Sequence, residues 1–406
     1  MTFVGDEEAT SLDQLASCEL DTLVRGVVRL RGDRDAIGDT TGGDARPLCF
    51  AELDRRISAL AGLWRDLGLK PGDCVLVAGG AVATSVIALL AALRAGLDIA
   101  LAPLHLSTEE MLDFAHDTAA VALAAETAYG GLAPAEELLC VAAQAPLVRL
   151  VCSLGPGRVD GAVAADPERL AASARPEVIT PTGEARILTR AHDGEVVIHR
   201  QRTLVAAALD LVTRARIGMR LPIITTIAPV TFAGLAAGPV AALLAGAPLL
   251  LHGPFASAGF AALLQRAGPA HLVAPAALLP ALQRAGLAHA ATRASLILVT
   301  RRDDASAPAA GDMPDDLAGD PAQASAYAAC MSKPPPIVDL LAIGETAAVA
   351  ELRGHDGKGV PAPAEPHPIS SNDQRAAAVA RDATFALAGA AVTDGADAKI
   401  EAVWRA

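Results

Sequence analysis

The side chains able to do chemistry are thinly spread along this chain. Nine histidines are scattered, and the nearest pair, His192 and His199, has no cysteine or carboxylate set around it at zinc spacing. Six cysteines (Cys18, Cys49, Cys74, Cys140, Cys152, Cys330) form no Cys-x-x-Cys, so they read as reduced, mostly buried thiols rather than a metal or disulfide framework. Gly79-Gly80-Ala81 follows an apolar run but is no Gly-x-Gly-x-x-Gly, and no acid follows at ribose distance. Gly344-Glu345 lacks a serine elbow. Two short stretches keep polar groups in company: Thr189 to Glu195, and Glu345-Thr346 at the end of the apolar run from Ile337. In the first, Arg190 or His192 can contact an anion, and the bland alternative is an ordinary surface turn. In the second, Glu345 is either a solvated acid at a strand end or a metal ligand. His192 or Glu345 could also serve as an acid/base.

Such groups need elements to hold them. Leu53, Ile57, Leu60, Ala61 and Leu63 recur at helical spacing within 48–67, with Asp54, Arg55, Arg56 and Arg65 largely opposite. Lys70-Pro71-Gly72-Asp73 is a turn, and Cys74 to Ala78 a short buried strand. A helix then runs through Ser85 to Arg94, with Gly96 as its C-cap, before a second buried strand at 97–102. Ser107 is the N-cap of a helix opening at Thr108-Glu109-Glu110. The alternation recurs: strands at 147–152, 223–228, 248–252, 271–274 and 296–300, and helices at 202–214, 233–245, 256–267 and 276–285. Repeated βα units imply parallel sheets covered on both faces, in two blocks at about 48–180 and 200–345. Residues 302–323 read as an acidic loop, and Lys333-Pro334-Pro335-Pro336 as a stiff spacer.

Composition bounds the partners. The 406 residues are 52% hydrophobic but 3% aromatic, which suits a core of small and branched aliphatics between layers. Only four of the 33 basic residues are lysine (Lys70, Lys333, Lys358, Lys399). A net charge of -13 repels phosphate backbones, so no nucleic-acid partner is expected. The acidic N-terminus shows no signal peptide. The apolar stretch 233–251 is broken by Pro239, Gly246 and Pro248, which favours a buried helix and strand over a membrane span. No membrane partner is expected, and a cytoplasmic location is.

The run Phe50-Ala51-Glu52-Leu53-Asp54, then Leu69-Lys70-Pro71-Gly72-Asp73-Cys74-Val75, resembles the opening of acyl-CoA synthetases and adenylation domains. The likeness continues in order through Ala88 to Gly96, Pro103-Leu104 and Ser107 to Glu110. It resumes at Ala228-Pro229, Ala233-Gly234-Leu235, Ala241 to Ala247 and Ala270 to Pro275. The chain is thus similar to the acyl-adenylate-forming (AMP-binding) superfamily. That resemblance implies an α/β fold, the N-terminal domain of adenylate-forming enzymes, with two βα-layered subdomains and mostly parallel sheets. The expected division is 1–180, a first α/β subdomain; 181–350, a second carrying the phosphate loop; and 351–406, an irregular tail, the remnant of a following β subdomain. The small C-terminal domain, with its carboxylate-orienting lysine, is expected to be absent.

The family joins a carboxylate to ATP, releasing pyrophosphate, and most members pass the acyl group to coenzyme A or a carrier-protein thiol. Its phosphate loop is rich in Gly, Ser and Thr, because small residues let backbone N–H groups and hydroxyls reach the phosphates, and a Lys adds charge. Here the corresponding segment is Leu188 to His199. It keeps Thr189 and Gly194, has His192 as a further cofactor-side candidate, and lacks the Lys, while Asp193 and Glu195 repel phosphate. The family's Tyr-Gly-x-Thr-Glu motif falls on Leu341 to Glu345. Glu345 aligns with the Mg²⁺-holding acid, the catalytic and metal candidate, and Thr346 offers a hydroxyl one residue late. The ribose-binding Asp has no counterpart. Thr231 or Phe232 falls at the gate beside the acyl site, with core packing the alternative for Phe232.

The expectation is therefore a ligase-like protein unable to adenylate alone: a pseudoenzyme, or a repurposed acyl-binding protein in specialised acyl or polyketide metabolism. No cofactor is expected, with ATP and Mg²⁺ entering only if activity is retained. The expected partner is a small carboxylic acid or acyl thioester. The alternatives are a working acyl-acid ligase completed in trans, with an intact homologue or acyl carrier protein as partner, and a scaffold for an intact homologue.

Overall fold

A computed structural model describes residues 19–40, 47–173, 185–191, 193–284, 293–301, 335–343 and 345–353. Its strands are β1 (Asp35–Asp39), β2 (Leu48–Cys49), β3 (Cys74–Gly79), β4 (Asp98–Pro103), β5 (Ala120–Ala125), β6 (Leu150–Ser153), β7 (Val163–Ala164), β8 (Ile187–Arg190) and β9 (Val196–His199). There follow β10 (Ile223–Thr225), β11 (Leu249–Leu251), β12 (Ala270–Pro275), β13 (Arg293–Arg301), β14 (Ile337–Ile343) and β15 (Ala347–Leu352). They build two sheets, ordered β7-β6-β5-β3-β4-β8-β9 and β15-β14-β13-β12-β10-β11-β1-β2. Neighbours are parallel except at three margins, where β9, β15 and β2 run antiparallel to β8, β14 and β1. The α/β fold with two mostly parallel sheets expected from the sequence is what the chain forms.

The sheets do not divide the chain at residue 180. The hairpin β8–β9 extends the first sheet through β4, with Ile99 opposite Ile187 and Leu101 opposite Thr189. In return β1, early in the chain, pairs with β11 in the second sheet. These exchanges tie the units together. Of residues 351–406, the described part is 351–353, whose first two residues complete β15; the rest lies outside the described residues, as do 302–334.

Between the sheets lies the helix Ala83–Ala95, buried on every side except at Thr84. A helix apolar all round has no solvent face and must be a central layer. Gly96 ends it in the left-handed conformation, φ 75°, as its position in the sequence predicts. Its one basic residue, Arg94, is 1% exposed and held by Asp21 (2.7 Å), Asp54 (2.7 Å) and the Ser58 hydroxyl (2.7 Å). This clamp fastens the helices Leu20–Arg31 and Phe50–Asp66 to the central one.

The stretch 233–251 forms a helix, not a span. It runs Phe232–Leu235, widens to a π turn at Ala236–Val240, and resumes at Ala241–Ala245 before β11. Pro239 lies in the widened turn, where it has no N–H to give the preceding carbonyl. No described helix is long and apolar enough to cross a membrane. The strand expected at 223–228 stops at Thr225, because the Thr225 hydroxyl takes the Ile227 N–H at 3.0 Å and bends the chain out of the ladder. The Ser107 cap is present as a full capping box with Glu110.

Candidate functional site

Four chemistry-bearing residues from distant parts of the chain meet where the sheets approach. Thr189 is the next-to-last residue of β8, and His199 ends β9. Thr189 stands opposite Val197, which puts His199 at its diagonal neighbour across the hairpin. The Thr189 hydroxyl lies 2.7 Å from His199 Nε2 and 3.3 Å from Glu345 Oε2. Glu345 comes from the turn between β14 and β15, is 3% exposed, and its Oε2 accepts the Phe232 N–H at 2.7 Å. The rings of His199 and Phe232 lie 5.3 Å apart at 53°.

The helix N-terminus explains why Glu345 turns inward. The first N–H groups of a helix have no partner within it, and the peptide dipoles favour negative charge there. Thr231 is the N-cap, its hydroxyl accepting the Gly234 N–H at 3.1 Å. Glu345 takes the Phe232 N–H that the cap leaves. A side chain from the far end of the second sheet thus completes the start of the helix beside the central layer.

Burial lowers His199 to about 4 and keeps its ring neutral at pH 7. One proton arrangement satisfies the whole chain. His199 Nε2–H donates to Thr189, Thr189 donates to Glu345, and Glu345 also accepts from Phe232.

The remaining candidates stand apart. Ala191, Asp193, Gly194 and Glu195 bond to one another: the Ala191 N–H donates to the Glu195 carbonyl (2.8 Å), Gly194 N–H to the Ala191 carbonyl (3.0 Å), and Glu195 N–H to Asp193 Oδ1 (3.1 Å). Gly194 has φ 92°, open to glycine at little cost, so its role here is to turn the chain. Arg190 faces Glu110 Oε1 at 3.5 Å and the Gly194 carbonyl at 3.4 Å. Thr346 is exposed, and its hydroxyl donates to the Ile343 carbonyl (3.0 Å) within its own turn. His192 lies outside the described residues.

A phosphate chain with Mg²⁺ needs free amides in the loop and an acid open to the ion. The amides of Ala191, Gly194 and Glu195 are engaged within the turn, and Glu345 Oε2 accepts from Phe232 and Thr189. In this arrangement these described amides and Glu345 Oε2 are already taken up by the protein itself. No set of three or more His, Cys, Asp or Glu suited to a metal occurs among the described residues. Four described cysteines (Cys49, Cys74, Cys140, Cys152) are free thiols, Cys74 and Cys152 being buried.

His199 is the partner that sequence reasoning did not place. The signal was the β-branched run Val196-Val197-Ile198 before it, with Gly194 as the turn, which marks a hairpin rather than a loop.

Residues 25–183 match the family model for AMP-binding enzymes. No curated protein matches the sequence. Among solved structures, acetoacetyl-CoA synthetase from Streptomyces lividans superposes with a TM-score of 0.63 at 18% identity, covering 82% of this chain and 54% of that one. MbtA from Mycobacterium smegmatis gives 0.57 at 22%, covering 70% and 52%. The o-succinylbenzoate CoA synthetase MenE from Bacillus subtilis gives 0.59 at 15%, covering 80% and 59%. The chain therefore spans a little over half the length of these three structures.

Proposed function

We propose that this chain, whose residues 25–183 match the AMP-binding family model, is an acyl-CoA synthetase-like protein of the acyl-adenylate-forming superfamily that does not adenylate alone and keeps the acyl cleft as a binding site. Its ligand is a small carboxylic acid or acyl thioester, and its setting specialised acyl or polyketide metabolism in the cytoplasm. The observation that carries this reading is the engagement of Glu345. The side chain that would meet Mg²⁺ instead caps Phe232 N–H at 2.7 Å, inside the protein. The bonds among Ala191, Asp193, Gly194 and Glu195 support it from the phosphate side. Titration calorimetry with ATP and Mg²⁺ tests it. No heat up to millimolar ATP is the expected result, and micromolar, Mg²⁺-dependent binding overturns the reading.

A second reading has its own support. Thr189 and Glu345 lie 3.3 Å apart, so the two elements that an ATP site would need are already neighbours. On this reading a partner completes the site in trans, and an intact homologue or an acyl carrier protein is the natural candidate. Carboxylate-dependent pyrophosphate exchange, present with the partner and lost in Glu345→Ala, would establish it.

A further inference from the structure

Away from this cluster, the C-terminal ends of β3, β5 and β1 surround a second polar recess. Glu126 and Thr127 follow β5 directly, and Glu126 Oε1 and the Thr127 hydroxyl are buried without a hydrogen-bond partner. Both residues crowd Gly155: a Cβ there would lie 3.0 Å from Glu126 Oε2 and 3.2 Å from Thr127 Oγ1. Thr84, the one half-exposed residue of the central helix, hydrogen-bonds Glu126. The charged groups facing Glu126 are Asp39 at the end of β1 and Asp166 before the helix Pro167–Ser173. Asp39 also takes the Ala83 N–H at 2.8 Å, and Asp166 pairs with Arg169 at 3.5 Å.

Three residues on, Tyr129 closes the recess. Its ring lies against Gly80, after β3 of the first sheet, and its hydroxyl against Gly253, after β11 of the second. A Cβ at either glycine would collide with Tyr129. The hydroxyl bonds the Ala81 backbone, and Gly130 abuts Pro254. Tyr129 is therefore a wedge touching both sheets, carried on the same short loop as Glu126.

We propose that Glu126 is a proton-operated latch on the seam between the sheets: neutral, it holds the 126–132 loop in place; ionised, it repels Asp39 and Asp166 and loosens the Tyr129 wedge. Repulsion counts here because the recess is shielded from water and, among the described residues, no cation faces Glu126 to offset it. Burial, with Asp39 and Asp166 adding to it, raises this carboxyl to about 7, so the latch loosens as pH rises from 4.5 toward 7. The inference does not depend on whether the chain adenylates.

Hydrogen exchange of the intact chain tests it, corrected for the intrinsic pH dependence of the amides. The Tyr129 and Leu132 amides, each bonded to the other's carbonyl, are the reporters. In the wild type their protection should fall by up to about tenfold per pH unit as pH rises from 4.5 toward 7 and level off above that, and in Glu126→Gln it should not change with pH. Equal pH dependence in the two proteins overturns the latch. If Glu126→Gln fails to fold, ¹³C-carboxyl NMR of the wild type decides. A glutamate titrating between pH 6 and 8 together with the loss of protection supports the proposal, and none in that range overturns it.

Discussion

Glu345 and Phe232, 113 residues apart, are joined by a 2.7 Å hydrogen bond from backbone nitrogen to side-chain oxygen inside the protein. The bond links the turn β14–β15, at the far edge of the second sheet, to the first residue of the helix that borders the central layer. It also fixes Phe232, the gate candidate, against His199. The packing of Phe232 and the integrity of the second sheet's edge are therefore coupled through one side chain.

Replacing Glu345 separates its two roles. Glu345→Ala leaves the Phe232 N–H and the Thr189 hydroxyl without their buried acceptor, a loss of about 2–3 kcal/mol. Glu345→Gln keeps an acceptor oxygen of the same reach and should cost less than half as much. Urea midpoints of the two variants measure this. Equal losses would mean that charge at the helix N-terminus, rather than the hydrogen bond, holds the contact.

Thr189→Val and Thr189→Ser test the chain of hydrogen bonds. Valine keeps the volume but strands His199 Nε2 and one acceptor site of Glu345, for about 1–2 kcal/mol. Serine preserves the hydroxyl and should stay within about 0.5–1 kcal/mol of the wild type, the cost of one lost methyl. Thermal unfolding in parallel gives the comparison, and a serine variant as unstable as valine would show that packing alone matters at this 0% exposed position.

The Arg94 clamp predicts strong non-additivity. Asp21→Ala removes the 2.7 Å partner of a guanidinium that cannot reach water, at about 3–5 kcal/mol. Arg94→Met in the same chain removes the stranded charge, so the double variant should recover much of that loss. A double-mutant cycle measures the coupling. Additive losses would place the stabilisation in Asp54 and Ser58 instead.

What the sequence disclosed follows from what each element buries. β3 and β4 are buried along nearly their whole length, and the central helix on all sides, so short apolar runs bounded by Lys70-Pro71-Gly72-Asp73 and Gly96 were enough to locate them. β1 escaped because Asp35-Ala-Ile-Gly-Asp39 buries just Ala36 and Ile37, too little for a periodic signal. β15 escaped because Ala347 to Leu352 reads equally as helix, and its pairing with β14 across one turn sets the conformation. In the site, Thr189, Phe232 and Glu345 were legible as positions, through resemblance. Their mutual contact was not, since it depends on the β8–β9 register and on a helix start whose orphan N–H no local residue satisfies.

The buried histidines predict an acid limb to stability with a definite sign. His199 and His271 are both lowered from 6.5 to about 4 by burial, and His271 Nδ1 lies 2.8 Å from the Ser295 hydroxyl. The folded state thus binds fewer protons than the unfolded chain between pH 4 and 6.5. Their contribution is complete above pH 6.5 and is lost as pH falls toward 4, up to about 3 kcal/mol for each ring. Glu126 acts in the opposite sense, because its raised carboxyl favours the folded state at low pH and loses that advantage as pH rises from 4.5 toward 7. Urea midpoints between pH 4 and 8 should therefore pass through a maximum. His199→Asn and His271→Asn should each flatten the acid limb, and Glu126→Gln should flatten the opposing one. An acid limb unchanged in both histidine variants would assign the loss of stability below pH 6.5 to carboxylates instead.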